Sequence, residues 1–552
     1  MQNFSQIVRT YLEKESFLIP ASTFLRDSVL ASTCKKEHHQ LMKLLRGLIL
    51  GFLFALLVLP YLLYEEPPVP EGTELASPDC RYGEVRLLLD QTYAKAADGG
   101  SESSQEIFDT ILAEIAGAET YLILDFFLWN NWLGKLESTA PMRPLARELL
   151  NALNAKQRAN PELPIVVITD PINRFYGSDT ELHLAAGEPI NFPLIFTDLS
   201  RLRDSNWVYA PLAEFWGRLL APFKLGGIRP PLKNPFEASA ARWSLSQWNR
   251  LLHFKANHRK VLIAGRSNGE SRMIVSSFNP ADGSARHTNA GLWVTGPIAR
   301  YAARSELAIA RWSARNPANC KGLKSSECME IIENLEGRIG ELEYHELAEV
   351  DEPAVAWRSE GAIRATLLEE LNAAGAGDRI DLALFYLSDR GIIAALRSAA
   401  ERGAKIRCLL DANKDAFGRK KNGIPNRVVA AELLGSPGGD TGTISVRWAD
   451  TRGEQFHSKV LRIHGPATDL LCLGSANWTR RNLDSLNLEA NLLLRNDALL
   501  GLEWDAYFDA LWSNAAGAEV SLPYNELSLS GWSLRWKTAL YRFQEWSGLS
   551  TF

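Results

Sequence analysis

The order of elements is written twice in this chain, and that repeat constrains the fold more than any other feature. SQEIFDTILAEIAGA leads into TYLILDFFLW in the first half, and AIRATLLEELNAAGAG leads into RIDLALFYLS in the second. Each half continues with another helical stretch and another apolar strand: RPLARELLNALNAKQ then PIVVITD, and RGIIAALRSAAERGA then KIRCLLD. Apolar runs of strand length alternating with longer helical stretches predict βαβ units, an α/β class with a largely parallel or mixed sheet in each half. At 552 residues the chain is too long for one hydrophobic core and long enough for two such lobes. The turns after the second strands match as well. Asp170 and Asn173 precede Gly177, and Asp411 and Asn413 precede Gly418, with each Asp seven residues before its Gly. Open α/β sheets bind ligands at that strand end, but capping of the following turn is the expected role of these four polar residues.

Composition narrows the classes further. The 60 basic and 65 acidic residues leave a net charge of −5, which excludes a whole-surface nucleic-acid binder. Six cysteines exclude a disulfide-built scaffold and match no zinc spacing. Cys408 and Cys472 lie in apolar runs and are expected in the core, whereas Cys320 and Cys328 either close a small disulfide loop or remain free thiols. One stretch leaves the globular pattern. Residues 47–64, GLILGFLFALLVLPYLLY, run 18 positions without a charge, enough to cross a bilayer as a helix. Lys35, Lys36, Lys43 and Arg46 precede it and Glu65 and Glu66 follow, which predicts a cytosolic N-terminus and a body on the extracytoplasmic side. A signal peptide starting at Met42 is the alternative, although no A-x-A cleavage site follows. The expected organisation is a cytosolic segment 1–46, a transmembrane anchor 47–64 and a proline-rich linker 65–84. A first lobe 85–345 with an insertion at about 178–250 follows, then a second lobe 346–515 and a tail 516–552.

Within the repeat, each half presents a histidine and a lysine two residues apart, His258 and Lys260 in NHRKVLIAG and His457 and Lys459 in FHSKVLRIHG. Residues two apart in a strand share a face, so each pair aims an imidazole and an ammonium into one site. Ser277 and Asn279 in SSFNP, and Gly474, Ser475 and Asn477 in GSANW, come next, the histidine-to-asparagine spacing being 21 and 20 residues. One H-x-K means nothing. Two, each followed by [GS]-S-x-N at nearly equal spacing, define a doubled half-site.

This pattern resembles the phospholipase D superfamily motif H-x-K-x4-D-x6-G-S-x-N, over about residues 85–515. The resemblance implies two α/β/α sandwich lobes sharing one active site, and a phosphodiesterase or phosphatidyltransferase resembling cardiolipin synthases. It also implies His258 as nucleophile and His457 as acid and base. The chain departs from the motif at Gly265 and His464, which stand where the motif has Asp, and at Ser276, which stands where it has Gly. Glu489 supplies a carboxylate after the second Asn, and the corresponding first-half stretch TNAGLWV offers Gly291. Because Glu489 belongs to the second half, its position favours His457 as the better-supported nucleophile, so the two roles stay open between the histidines.

The chemistry accounts for these residue types. A phosphodiester gathers negative charge in its transition state, which Lys260 and Lys459 neutralise while Asn279, Asn477, Ser277 and Ser475 donate hydrogen bonds. One imidazole attacks phosphorus, the other protonates the leaving alcohol, and the roles reverse when water or an acceptor alcohol enters. This scheme needs no metal and no cofactor. His38, His39, His183, His253, His287 and His345 lack such a context and are expected at the surface or in caps, and His464 as a turn filler.

Lipid is the expected substrate, and a membrane the expected partner. The insertion carries Trp207, Trp216, Trp243 and Trp248 among Leu and Pro, and is expected to form a lid or a substrate-facing wall. The tail places Trp532, Trp536, Leu540 and Phe543 on one helical face, with Arg535, Arg542 and Glu545 toward another, the spacing of an interfacial helix. The same spacing also suits a helix packed on the body. A nuclease is the alternative, with Arg419, Lys420, Lys421, Arg427, Arg480 and Arg481 as its basic channel, and an inactive membrane-tethered binding module is the other.

Overall fold

The computed structural model describes residues 24–95, 101–134, 142–174, 190, 192–220, 232–234, 242–339, 347–349, 351–417, 419–435, 444–466, 468–515, 518–550 and 552. His183, His345, Gly177 and Gly418, and the side chain of His38, lie outside them. The chain divides into two compact units. One holds the residues up to Glu65 with Pro211–Leu219, and the other holds Glu66–Ala210 and Leu220–Phe552.

In the smaller unit the apolar run is not one helix. A helix runs Phe24–Leu57 and a separate short one Leu59–Leu62, and no helix among the described residues is long and apolar enough to cross a membrane. The expected 47–64 span is corrected for a physical reason. Pro60 has no amide hydrogen and its ring excludes the carbonyl four residues back, so the long helix stops before it. Gly47–Leu57 then supplies only about 16 Å of uncharged helix, against roughly 30 Å of hydrocarbon. Leu48, Leu50 and Phe52 stand exposed on it, and Trp216 Nε1–H donates to the Leu56 carbonyl at 3.3 Å.

The larger unit contains two eight-stranded mixed sheets. The first uses β1 (Val85–Asp90), β2 (Tyr121–Phe126), β3 (Ile165–Thr169), β4 (Leu194–Phe196), β5 (Lys260–Gly265), β6 (Ser271–Ser276), β7 (Asn289–Thr295) and β8 (Cys320–Lys321). The second uses β9 (Ala354–Ser359), β10 (Arg379–Leu384), β11 (Lys405–Asp411), β12 (Ile444–Ala449), β13 (Lys459–His464), β14 (Asp469–Gly474), β15 (Ala490–Arg495) and β16 (Ser521–Pro523). The spatial orders are β1-β7-β6-β5-β2-β3-β4-β8 and β9-β15-β14-β13-β10-β11-β12-β16, the same path with every strand advanced by eight. The β2-β3-β4 and β10-β11-β12 pairings are parallel and the others antiparallel.

Side-chain alternation splits each sheet between two cores. In β2, Leu122 and Leu124 join an outer core with Phe108, Ile111 and Ile115 of helix Glu106–Gly117, while Ile123 joins an inner one. That inner core holds Val275 and Leu292 of the first sheet together with Leu473 and Leu492 of the second. The strands next to the H-x-K strands therefore pack lobe against lobe. Among the described residues Cys320, Cys328, Cys408 and Cys472 are free thiols, so of the two alternatives for Cys320 and Cys328 the structure has the unbridged one.

Candidate active site

His258 and His457 each stand two residues before the first residue of an inner strand, β5 or β13. A pair of crossed backbone bridges holds them face to face. His258 N–H donates to Leu488 O at 2.9 Å and His457 N–H to Thr288 O at 2.8 Å. Leu488 N–H returns to Ala256 O at 3.1 Å and Thr288 N–H to Gln455 O at 3.0 Å. Each lobe thus grips the residue before the other's histidine. Asp170 and Asp411 support these approaches from the ends of β3 and β11, accepting the N–H of Asn257 at 2.7 Å and of Phe456 at 2.9 Å. Asn173 and Asn413 donate to the carbonyls of Phe127 and Phe385, at 2.8 and 3.0 Å. Those phenylalanines in turn lie against His258 and His457, with ring centroids 4.7 and 5.0 Å apart.

The crossing decides which acid serves which base. Glu489 of the second lobe meets His258 of the first, Nδ1 to Oε1 at 2.7 Å, and also accepts from Ser475 Oγ–H and Asn482 Nδ2–H. His457 Nδ1 faces Asn289 Oδ1 at 3.2 Å. Position in the chain had suggested that Glu489 supports His457. That inference fails because the carboxylate belongs to the far side of the interface.

Asn289, not Gly291, is the first-half counterpart of Glu489. Ser277 Oγ–H donates to Asn289 Oδ1 at 3.1 Å as Ser475 does to Glu489, and the next amides, Ala290 and Ala490, donate back to those hydroxyls at 3.1 and 3.0 Å. Aligning TNAGLWV and LEANLLL on the shared alanine, rather than on distance from the motif asparagine, would have found it. Gly291 answers Ser276 instead. The two are paired across β6 and β7, and a Cβ at Gly291 would come 2.7 Å from that of Ser276. In the other lobe the glycine is on the opposite strand, Gly474 facing Asn491. The same pairs revise the role expected of Ser277 and Ser475, whose hydroxyl hydrogens go to Asn289 and Glu489 rather than into the site.

Lys260 and Lys459 are fully buried, each donating to the carbonyl of its own histidine, at 2.5 and 2.6 Å. Each ammonium lies over a phenylalanine ring, 5.3 Å from the Phe127 centroid and 5.2 Å from that of Phe385. Burial lowers Lys260 to about 7 against the pull of Glu489, and burial together with Lys260 holds Lys459 well below its ordinary value. Burial likewise pushes His258 down to about 4 despite Glu489, and His457 falls well below its usual range through burial and Lys459. Glu489, although buried, stays below the usual carboxylate range because His258 and Lys260 face it. The resting site therefore presents a neutral His258 with Nδ1–H on an ionised carboxylate and Nε2 bare.

Asn279 and Asn477 are buried. Asn279 Oδ1 accepts Leu128 N–H at 3.3 Å, which leaves its amide hydrogens for the site. Gly265 and His464 close the far ends of β5 and β13, five residues past the lysines, and at about 3.3 Å per residue neither position reaches the histidines. Loss of the motif Asp therefore leaves this geometry intact.

His287 was expected at the surface or in a cap, and the structure corrects this. It is buried, its ring 5.7 Å from that of His457 and 5.7 Å from that of Phe417. Nothing in its sequence context marks it. His253 is partly buried on Asp204 at 2.7 Å, His39 is exposed and His464 is an exposed strand end. The basic residues suggested for a channel are largely committed. Lys421 bonds Tyr386 Oη, Arg427 donates to Leu527 O at 2.5 Å, Arg480 to Ser205 O at 2.6 Å, and Arg481 to Ser205 Oγ and Gly548 O at 2.9 Å.

Two imidazoles, two ammonium groups and two carboxamides contributed equally by a repeated fold define a twin H-x-K half-site protein. Residues 367–512 match the family described as cardiolipin synthase, PLD-like domain. That segment carries His457, Lys459, Ser475, Asn477 and Glu489, so the second lobe is similar to that PLD-like domain. No curated protein matches the chain in sequence. Among solved structures it is similar to phosphatidylserine synthase of Haemophilus influenzae Rd KW20, at 11% identity over 86% of this chain and 96% of that one, with a TM-score of 0.48. It is also similar to Nuc, a phospholipase D family member from Salmonella typhimurium, at 18% identity over 31% of this chain and 98% of that one, with a TM-score of 0.23.

Proposed function

We propose that this chain cleaves or transfers phosphatidyl groups through a phosphohistidine formed on His258. One observation carries the reading. Two buried ammonium groups flank a neutral imidazole oriented by a carboxylate, so the site is short of negative charge and holds a prepared nucleophile.

A phosphodiester monoanion entering between Lys260 and Lys459 supplies the missing charge. Its charge offsets the Lys459 repulsion that adds to burial in lowering the proton affinity of His457, which takes up a proton on binding. His258 Nε2 then attacks phosphorus, the bond to the leaving alcohol breaks, and His457 gives that oxygen its proton. The amide hydrogens of Asn279 and Asn477 and the two ammonium groups meet the charge that develops on the equatorial oxygens. In the second step an attacking O–H bonds to phosphorus, the P–N bond breaks, and His457 receives the proton. Asn289 fixes the orientation of the His457 ring without the fixed negative charge that Glu489 lends His258, which suits a group that must both give and take a proton.

The lipid reading is supported by helix Gly531–Ser547. Trp532, Trp536, Phe543 and Trp546 stand exposed along one face of it, and Trp546 meets the exposed Trp207 edge to face at 4.6 Å. Leu540, expected on that face, turns toward the body. Tryptophan and phenylalanine in such a stripe suit a lipid interface, so the body would sit on a bilayer rather than span it.

The test compares wild type with His258→Ala and His457→Ala on mixed phospholipid vesicles and on single-stranded DNA, with EDTA present. Lipid turnover that survives EDTA and is lost in both variants is expected. DNA cleavage with the same pattern would replace lipid by nucleic acid, and silence on both substrates without a covalent adduct would make the chain a binding module.

A further inference from the structure

His287 has no counterpart in the second lobe. The residue two before Glu489, matching it in position, is Asn487, which accepts Ala256 N–H at 2.9 Å and so belongs to the bridge. The imidazole of His287 is instead 5% exposed, and its Nδ1 is buried without a hydrogen-bond partner. The loop that carries it is well fixed. Its N–H donates to Ser284 O at 3.0 Å, and its carbonyl accepts from Asn289 Nδ2–H at 3.1 Å. The side chain that orients His457 therefore also anchors His287. Burial, and then the Lys459 ammonium, push the His287 imidazolium down to about 3, so the ring is neutral and offers one N–H donor and one bare nitrogen. A buried polar atom without a partner calls for a function.

We propose that His287 is a third imidazole of the site, holding the oxygen of the attacking water or acceptor alcohol against His457 in the step that breaks the phosphohistidine. This rests on the phosphodiesterase reading above. The attacking oxygen donates its hydrogen to His457 and accepts one from His287. As the O–P bond forms, the P–N bond to His258 breaks, the proton passes to His457, and His287 keeps its own. The ring contact of Phe417 with His287 covers the other side, so the oxygen is held in a dry corner formed by both lobes. In the first half-reaction the oxygen at that position is the leaving alcohol's, already bonded to phosphorus, so it does not need His287 to hold it.

The experiment follows a labelled phosphodiester through both half-reactions in wild type, His287→Ala and His287→Gln. In His287→Ala, adduct formation changes by less than about threefold while its breakdown to water and to glycerol slows by about tenfold or more, so the adduct accumulates. His287→Gln, which keeps an N–H donor, recovers part of the breakdown rate. A second readout needs no turnover. Vanadate brings an apical oxygen that inorganic phosphate lacks, so His287→Ala should weaken vanadate by about tenfold and phosphate by less than about threefold. Formation and breakdown falling together, or breakdown unchanged, would overturn the assignment. A wild type that forms no adduct and binds neither anion would remove the phosphodiesterase reading itself, and this assignment with it.

Discussion

Glu489 and Asn289 differ by one functional group, and that difference makes the two half-sites unequal. Glu489→Gln keeps the volume and a hydrogen bond to His258 but lets the wrong tautomer form. Adduct formation should fall by roughly 10²- to 10⁴-fold with little change in melting temperature, measured by rapid quench and calorimetry. A change confined to adduct breakdown would place the carboxylate with His457 after all. Lys260 gives the second prediction. It is charged below about 7 and neutral above, so anion affinity is present on the acid side and lost as pH rises. Calorimetric affinity for dimethyl phosphate, whose own charge is constant, should fall by up to about tenfold per pH unit above that point. Lys260→Met should abolish that step, and an unchanged profile would show that another group titrates. His258, Lys260, His457 and Lys459 were legible in the sequence because strand alternation ties chemistry to spacing. Asn289 and His287 were not. Their roles arise from backbone bridges between lobes, and spacing within one half carries no information about the other half.

At the scale of elements, helix Gly531–Ser547 exposes aromatic rings on one side and packs Tyr541 on the other, where its hydroxyl donates to Ser388 O at 2.9 Å. Tyr541 touches Phe552, Phe552 touches Tyr386, and Tyr386 touches Phe385, which meets His457. The element proposed to sit on lipid thus rests on the rings that line the site. Trp532→Ser with Trp536→Ser should weaken binding to phospholipid vesicles by about tenfold or more in a sedimentation assay, while turnover of a soluble diester stays within about twofold. Equal vesicle binding would dismiss this face as the contact. The periodicity of the tail was readable, but which of two adjacent faces meets the body was not, hence the exchange of Leu540 for Trp546. The apolar run misled in another way, since composition measured its length while Pro60 determined where the helix stopped.

For the whole molecule, Arg259 ties the repeat together. It lies between His258 and Lys260, and alternation turns it away from the site into a buried cluster with Glu306 of its own lobe at 3.0 Å and Glu360 of the other at 2.7 Å. Glu360 also accepts Glu489 N–H at 3.0 Å, so the clamp reaches the residue that orients His258. Arg259→Ala leaves two buried carboxylates without their cation. It should cost about 3–5 kcal/mol in denaturant unfolding, with much of the loss restored by adding Glu360→Leu. A stable single variant would show that the lobes are held by their shared apolar core alone. The sequence showed two lobes because each repeats the same hydrophobic pattern. It could not show Arg259 bridging them, because nothing in the second half repeats it: Ser458 stands at the matching position.

One measurement bears most directly on a single site built from both lobes. A labelled phosphodiester is reacted with wild type, His258→Ala and His457→Ala, quenched in alkali, and the labelled peptide mapped. One label on His258, absent in His258→Ala and slowed by roughly 10³-fold in His457→Ala, is the result predicted here. Label on His457, or about half the wild-type yield in each variant as two independent sites would give, would contradict it.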